Sequence, residues 1–174
     1  MEGMRDTETI LSSEELSQVW ADFAHNDQLP DWYELTEHGE LIISPRPDTR
    51  HQRICASIAY QLQRQLGGEA VCEVAILTTT SGIRVPDVVW MPQERWNTVA
   101  ATDLLRNPDL VVEVLSPGNR STEINHNTQA YLESGVQEVI LIGRTGTIEY
   151  VRQDGRHPTS VFNLTLSLPL SLFQ

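Results

Sequence analysis

The sequence predicts an α/β (α+β) protein, a mixed β-sheet flanked by helices. Two stretches carry apolar residues at helical spacing on one face, and several short apolar runs of strand length lie between them. Glycine, proline, asparagine and aspartate clusters punctuate these segments, with no repeat and no linker. Strands and helices that alternate in this way are satisfied by a sheet with helices on its faces. A chain of 174 residues is read as one domain, 1–174, large enough to build its own core.

Residues 1–10 are polar and expected to fray. Ser12-Ser-Glu-Glu15 has the form of a capping box and opens a helix over 12–24, with Leu16, Val19, Trp20 and Phe23 on one face. Tyr33-Glu-Leu35 and Glu40-Leu-Ile-Ile-Ser44 read as a hairpin turning at His38-Gly39. Asp48 is the expected N-cap of a long helix to Leu66, where Ile54, Ile58 and Leu62 recur at i+4, and Gly67-Gly68 closes it. Residues 69–78 and 85–91 read as strands around a Ser81-Gly82 turn. A polar connection over 93–108 holds a short helix near 99–105.

Residues 110–116 are almost continuously apolar, as in a central buried strand. Ser121 or Thr122 caps a helix to Ser134, stopped by Gly135, and 139–142 form another buried strand. The expected C-terminal strands cover 147–172. In the tail Phe162, Leu164, Leu166, Leu168, Leu170 and Leu172 alternate with mostly polar neighbours, which reads as a half-buried terminal strand or an edge that pairs between subunits.

Net charge is −12, and all 12 basic residues are arginine; there is no lysine. This balance argues against broad, nonspecific affinity for nucleic acid, which depends on neutralising phosphates. Arg46, Arg50, Arg53 and Arg64 form the one concentration of positive charge. With His51 they open the long helix, where they either contact phosphate or form a solvated face. The acidic start lacks the apolar core of a signal peptide, and no apolar stretch approaches the roughly 18 residues of a membrane span. Cys55 and Cys72 have no metal-like spacing, so a reduced, cytoplasmic protein with no membrane association is expected. The tryptophans at 20, 32, 90 and 96 are scattered, and no base-stacking platform is expected from them.

Two acids interrupt apolar runs: Asp87 within Arg84-Val-Pro-Asp-Val-Val-Trp90, and Glu113 within Asp109-Leu-Val-Val-Glu-Val-Leu-Ser116. At strand period Asp87 lies between Val85 and Val89, and Glu113 between Val111 and Leu115, so neither belongs to a polar row. Burying an unpaired acid is costly. On neighbouring strands the two would repel, raising one pKa, unless a cation lay between them, and oxygen ligands favour Mg2+ or Mn2+. Taken singly, Asp87 after Pro86 can instead cap a bend, and Glu113 can pair with an arginine.

Around these acids the chain resembles the PD-(D/E)xK nuclease superfamily, in its bacterial branch of putative restriction endonucleases formerly filed as a domain of unknown function. The resemblance rests on Tyr33-Glu-Leu35, Gly39-Glu-Leu41, Ser44-Pro45, His51, Val85-Pro-Asp-Val88, Pro108-Asp-Leu-Val-Val-Glu-Val-Leu-Ser-Pro117, Tyr131 and Gly135-Val136, a core of about 33–142. It implies a restriction endonuclease-like fold, Mg2+ (or Mn2+) held by Asp87, Glu113 and the Val114 carbonyl, and hydrolysis of DNA, commonly by a homodimer. Glu40 is the candidate for the early acid that often joins such sites, a solvent-facing hairpin position being the alternative.

The same resemblance places a lysine two residues after the Glu, at Leu115, or four residues before the tyrosine, at Asn127; neither is lysine. Asn127 or Gln129 can orient a water by hydrogen bonding without supplying charge. Arg120 can supply charge but cannot act as a base. His126 can act as base or ligand, or be an ordinary surface histidine. The expectation is a Mg2+-dependent DNA endonuclease lacking its usual lysine. The alternative is a catalytically degenerate binding or assembly module on the same fold. A metal-dependent hydrolase of a small phosphorylated compound is a third, weaker reading.

Overall fold

The computed structural model describes residues 9–101 and 104–174. Most of the polar start therefore lies outside the described residues. Helix α1 (Ser13–Ala24) begins in the expected capping box: the Ser12 hydroxyl accepts from Glu15 N–H, and the Glu15 carboxylate accepts from Ser12 N–H. Strands β1 (Tyr33–Leu35) and β2 (Leu41–Ile43) form the expected hairpin, with Gly39 at φ +77° in its turn. Helix α2 (Thr49–Leu66) is capped by Asp48, which accepts from His51 N–H at 2.8 Å, and ends at Gly67.

The strand expected over 69–78 is two strands, β3 (Glu69–Cys72) and β4 (Ile76–Leu77), because Glu73 turns the chain at φ 57°. The strand expected over 85–91 is preceded by β5 (Ile83–Arg84) and starts as β6 only at Val88, running to Met91. Pro86, with no N–H to give a ladder, lies in the gap. The hairpin over 69–91 is thus bent in both arms at one level, and its halves join different sheets. One sheet runs β2-β1-β5-β4 and the other β10-β9-β8-β7-β6-β3. The α/β class holds, with the strands shared between two sheets.

The short helix lies at α3 (Gln93–Trp96), and of the 99–105 expected for it the described residues 99–101 and 104–105 are not helical. Residues 102–103 are not described, but Leu105 pairs with the chain beside β4, its N–H donating to Ala75 C=O and its C=O accepting from Leu77 N–H. Central strand β7 (Leu110–Val114) is followed by α4 (Ser121–Glu133), whose N-cap is Arg120 and carries no side-chain cap bond, in place of the expected Ser121 or Thr122. Strand β8 (Glu138–Ile142) then lies parallel to β7, the crossover that parallel strands require. Strands β9 (Ile148–Arg152) and β10 (Gly155–His157) complete the sheet.

Helix α2 covers one face of the six-stranded sheet, packing Ile54, Ile58 and Leu62 on Val88, Val112 and Ile140. Helix α4 covers the other, with Tyr131 and Leu132 against Val89, Val111 and Val139. Burial on both faces explains why β7 and β8 are nearly continuous apolar runs.

The tail is not a strand beyond 157. Leu164, Leu166 and Leu172 enter the α2-side core, but Gln61 and Gln65 of α2 take the place of a neighbouring strand. The Gln61 amide bonds both N–H and C=O of Ser167, and the Gln65 amide does the same for Thr165. The alternation records burial of the leucines, while side-chain amides satisfy the backbone.

Candidate active site

The bend of the 69–91 hairpin exposes the site. Strand β6 pairs antiparallel with β7 from Trp90↔Leu110 to Val88↔Val112. One step further along that register sets Asp87 opposite Glu113. There the ladder is replaced by side-chain bonding: Asp87 Oδ2 accepts from Val114 N–H at 2.6 Å. On the other side Glu73 N–H donates to Asp87 C=O at 3.3 Å. Asp87 thus occupies the corner where the two sheets part, with its backbone tied to Glu73, just past β3, and its carboxylate to β7.

Tyr131 of α4, fully buried, donates its hydroxyl to Glu113 Oε1 at 2.8 Å. Burial and then the Asp87 charge hold the Glu113 carboxyl well above its ordinary range, against the lowering effect of the Tyr131 bond. Glu34 of β1 is a third acid at this place. Its Oε1 accepts from Val85 N–H at 2.7 Å and its Oε2 pairs with Arg84 at 3.2 Å. Burial raises its pKa more than those bonds lower it, and its charge is felt at Glu113. On α2, His51 Nε2 lies 3.1 Å from Asp87 Oδ1, and its Nδ1 lies 3.6 Å from Cys55 Sγ, one turn along the helix. The bond to Asp87 holds the His51 pKa above its usual value, while burial pushes the Cys55 thiol up and keeps it protonated.

These groups line a cleft of about 760 Å³. Its acids are Asp31, Glu34, Asp48, Glu73, Asp87, Glu113 and Glu123, and among the described residues Arg46 is the one arginine lining it. Of the residues singled out in the sequence, Asp87, Glu113, Val114, His51, Arg46 and Asn127 line this cleft together. Glu40 does not: it is exposed at the end of the hairpin turn, and Glu34, facing Ile42 across the hairpin, is the acid that β1 carries into the cleft. Gln129 is exposed and donates to Glu133 on its own helix. Arg50, Arg53, Arg120 and His126 are exposed and are not among the lining residues. Glu34 was legible only as an acid between two apolar strand neighbours, a weaker signal than the resemblance that pointed to the hairpin's other acid.

Two sets of residues could hold a metal ion. His51, Cys55 and Asp87 have ligand atoms within 4.8 Å of one another. Cys55 and Asp87, however, bond opposite nitrogens of the same ring, which describes a hydrogen-bonded chain better than convergence on one ion. Asp87 and Glu113 offer oxygens alone, and a cation there would relieve the like-charge repulsion that, together with burial, raises the Glu113 pKa. Each Asp87 oxygen accepts one bond and keeps a further lone pair. An oxygen set of this kind fits a hard cation that retains water.

A family model described as Uma2, putative restriction endonuclease, matches residues 20–173. The chain belongs to this family. Its description supports a nuclease-like function, and the superfamily resemblance read at Asp87 and Glu113 is correct. No curated protein matches. Among the solved structures five chains match. One is the crystal structure of a putative nuclease belonging to DUF820 from Anabaena variabilis ATCC 29413. Its TM-score is 0.69 at 23% identity, covering 94% of this chain and 97% of that one. At that identity the likeness shows the fold, which is that of a nuclease-fold neighbour. Among the described residues no helix is long and apolar enough to cross a membrane.

Proposed function

We propose that the protein is a divalent-metal-dependent endonuclease that hydrolyses phosphodiester bonds in DNA. The observation that carries this reading is one acid set opposite another at the corner between two sheets, on the floor of a cleft. Asp87, Glu113 and the Val114 carbonyl would hold Mg2+ or Mn2+, with Glu34 as the third acid. A cation bound there supplies a Lewis acid for the phosphoryl oxygens and lowers the pKa of a water.

The chain's own residues have separate tasks. His51 and Val114 N–H fix the Asp87 carboxylate from two sides. Tyr131 fixes Glu113, and Arg84 with Val85 N–H fixes Glu34. Asn127, on the cleft wall where the family resemblance expects lysine, can orient a water through its amide but carries no charge. His51 Nε2 lies 3.1 Å from Asp87, and that contact raises its pKa.

The absence of lysine favours a second reading, a nuclease fold retained as a binding or assembly module. Titration calorimetry with Mg2+ and Mn2+ tests both enzymatic and structural parts. The hydrolase reading expects binding that Asp87→Ala and Glu113→Ala each remove; binding indifferent to both variants would overturn it. A plasmid-nicking assay in Mn2+ separates enzyme from module. If Asn127→Lys nicks DNA where the wild type does not, the module reading stands. Association as a homodimer belongs to the same proposal and is checked by light scattering.

A further inference from the structure

Resting on the nuclease reading above, we infer that the cleft takes an unpaired nucleobase against the wall built by Trp32 and Tyr33, so that its substrate is single-stranded or locally melted DNA. The fold brings together aromatics that are dispersed in the sequence. Trp20 of α1 reaches Tyr33 of β1 with ring centroids 4.8 Å apart, and Phe23 meets the same tyrosine edge-on at 6.3 Å. Trp32 is anchored by its N–H to Glu73 at 3.3 Å. The Arg46 guanidinium lies 5.2 Å from the Trp32 ring centre. Trp20, Trp32 and Tyr33 all line the cleft whose floor holds Asp87 and Glu113, and Ile43 beside them is 61% exposed.

Charge and size select the occupant. A duplex is held chiefly by neutralising phosphates on two strands. This cleft presents one arginine against seven acids, so phosphate neutralisation cannot be its main source of affinity. Stacking does not depend on charge and accepts any base, because every base has a π-face. A volume of about 760 Å³ lies in the range of small-ligand sites, which suits an extruded nucleotide rather than a double helix. Tyr33 is packed by Trp20 and Phe23, and Trp32 is tied to Glu73, before any ligand arrives, which lowers the ordering cost of stacking on them. Arg46, exposed at the Trp32 face, is placed to meet the single strand's phosphate.

The test is fluorescence anisotropy of a labelled oligothymidylate and of a hairpin duplex, with the full chain in Mg2+. The single strand is expected to bind at least about tenfold tighter than the duplex. Trp32→Ala should weaken single-strand binding by about tenfold while leaving duplex binding alone. Trp32→Phe, which keeps a stacking face and the packing, should retain most of the affinity. Arg46→Gln should reduce the salt dependence of single-strand binding. Equal or tighter duplex binding, no binding of either, or a loss in Trp32→Ala common to both would overturn the inference. Calorimetry with Mn2+ separates this outcome from the parent reading. Metal bound through Glu113 without strand preference removes the stacking inference and leaves the hydrolase. Strand preference through Trp32 without metal binding does the reverse.

Discussion

Two acids stand near opposite ends of the parallel pair β7–β8, and they are treated very differently. Glu138, at the start of β8, is fully buried. It accepts from the Ser160 hydroxyl at 2.5 Å and Val161 N–H at 2.9 Å, and Arg152 lies 3.6 Å away. Glu113, near the end of β7, accepts from Tyr131 and faces the cleft opposite Asp87. Glu138 has donors and a cation of its own, and they lock the segment after β10 onto the sheet. Among the described residues Glu113 has two neutral donors, the Tyr131 hydroxyl and the Asp87 backbone, but no cation of its own and a like charge beside it, an arrangement that raises its pKa. Burial of an acid therefore says little by itself; the partner set distinguishes a structural clasp from a candidate reactive site.

The comparison predicts opposite outcomes for the two positions. Glu113→Gln should lower any Mn2+-dependent cleavage on the order of 10³-fold, while denaturant unfolding shows stability equal to or above wild type, because a repulsion has been removed. A large loss of stability in this variant would make Glu113 a second clasp. Glu138→Ala should cost about 3–5 kcal/mol in the same unfolding measurement, since Arg152 and Ser160 lose their buried partner, with metal binding intact in the folded fraction. A cost below about 1 kcal/mol, the range of exposed pairs, would break the contrast.

Tyr131→Phe should weaken metal binding by about tenfold in calorimetry, as loss of an outer hydrogen bond to a ligand does. An unchanged affinity would mean that the hydroxyl serves packing alone. The smallest effect is in pH. The raised pKa of Glu113 means that the folded, metal-free chain binds a proton more tightly than the unfolded chain. Its stability is therefore fully supported below the ordinary value of 4.5 and is lost as pH rises through the folded pKa. Thermal unfolding across that window should be flatter in Glu113→Gln than in wild type, and added Mn2+ should restore the wild-type loss.

Much of the fold was legible because its signals are local. The Ser12–Glu15 capping box, the i+4 row on α2, the apolar run of β7 and the glycine after α4 each depend on residues close in sequence. The errors arose where distant chain decided the matter. The tail alternates like a strand, yet its backbone partners are the amides of Gln61 and Gln65. Glu73 and Pro86 bend a hairpin that reads as two plain strands. Asp87 and Glu113 stood out because an acid in an apolar run is anomalous at any distance. Glu34 and Glu40 look alike in sequence, and only the hairpin's placement against β5 turns Glu34 into the cleft.

By itself the sequence determined the α/β class, the helices that cover the sheet, the two anomalous acids and the want of a lysine. Periodicity, capping and composition are written in consecutive residues and survive without coordinates. Only the tertiary structure decided that the acids share a corner, that Glu34 joins them, that Tyr131 and His51 hold them, and that scattered aromatics line the same cleft. Those facts depend on strand register and on the divergence of two sheets, which are set by packing between segments far apart in the chain.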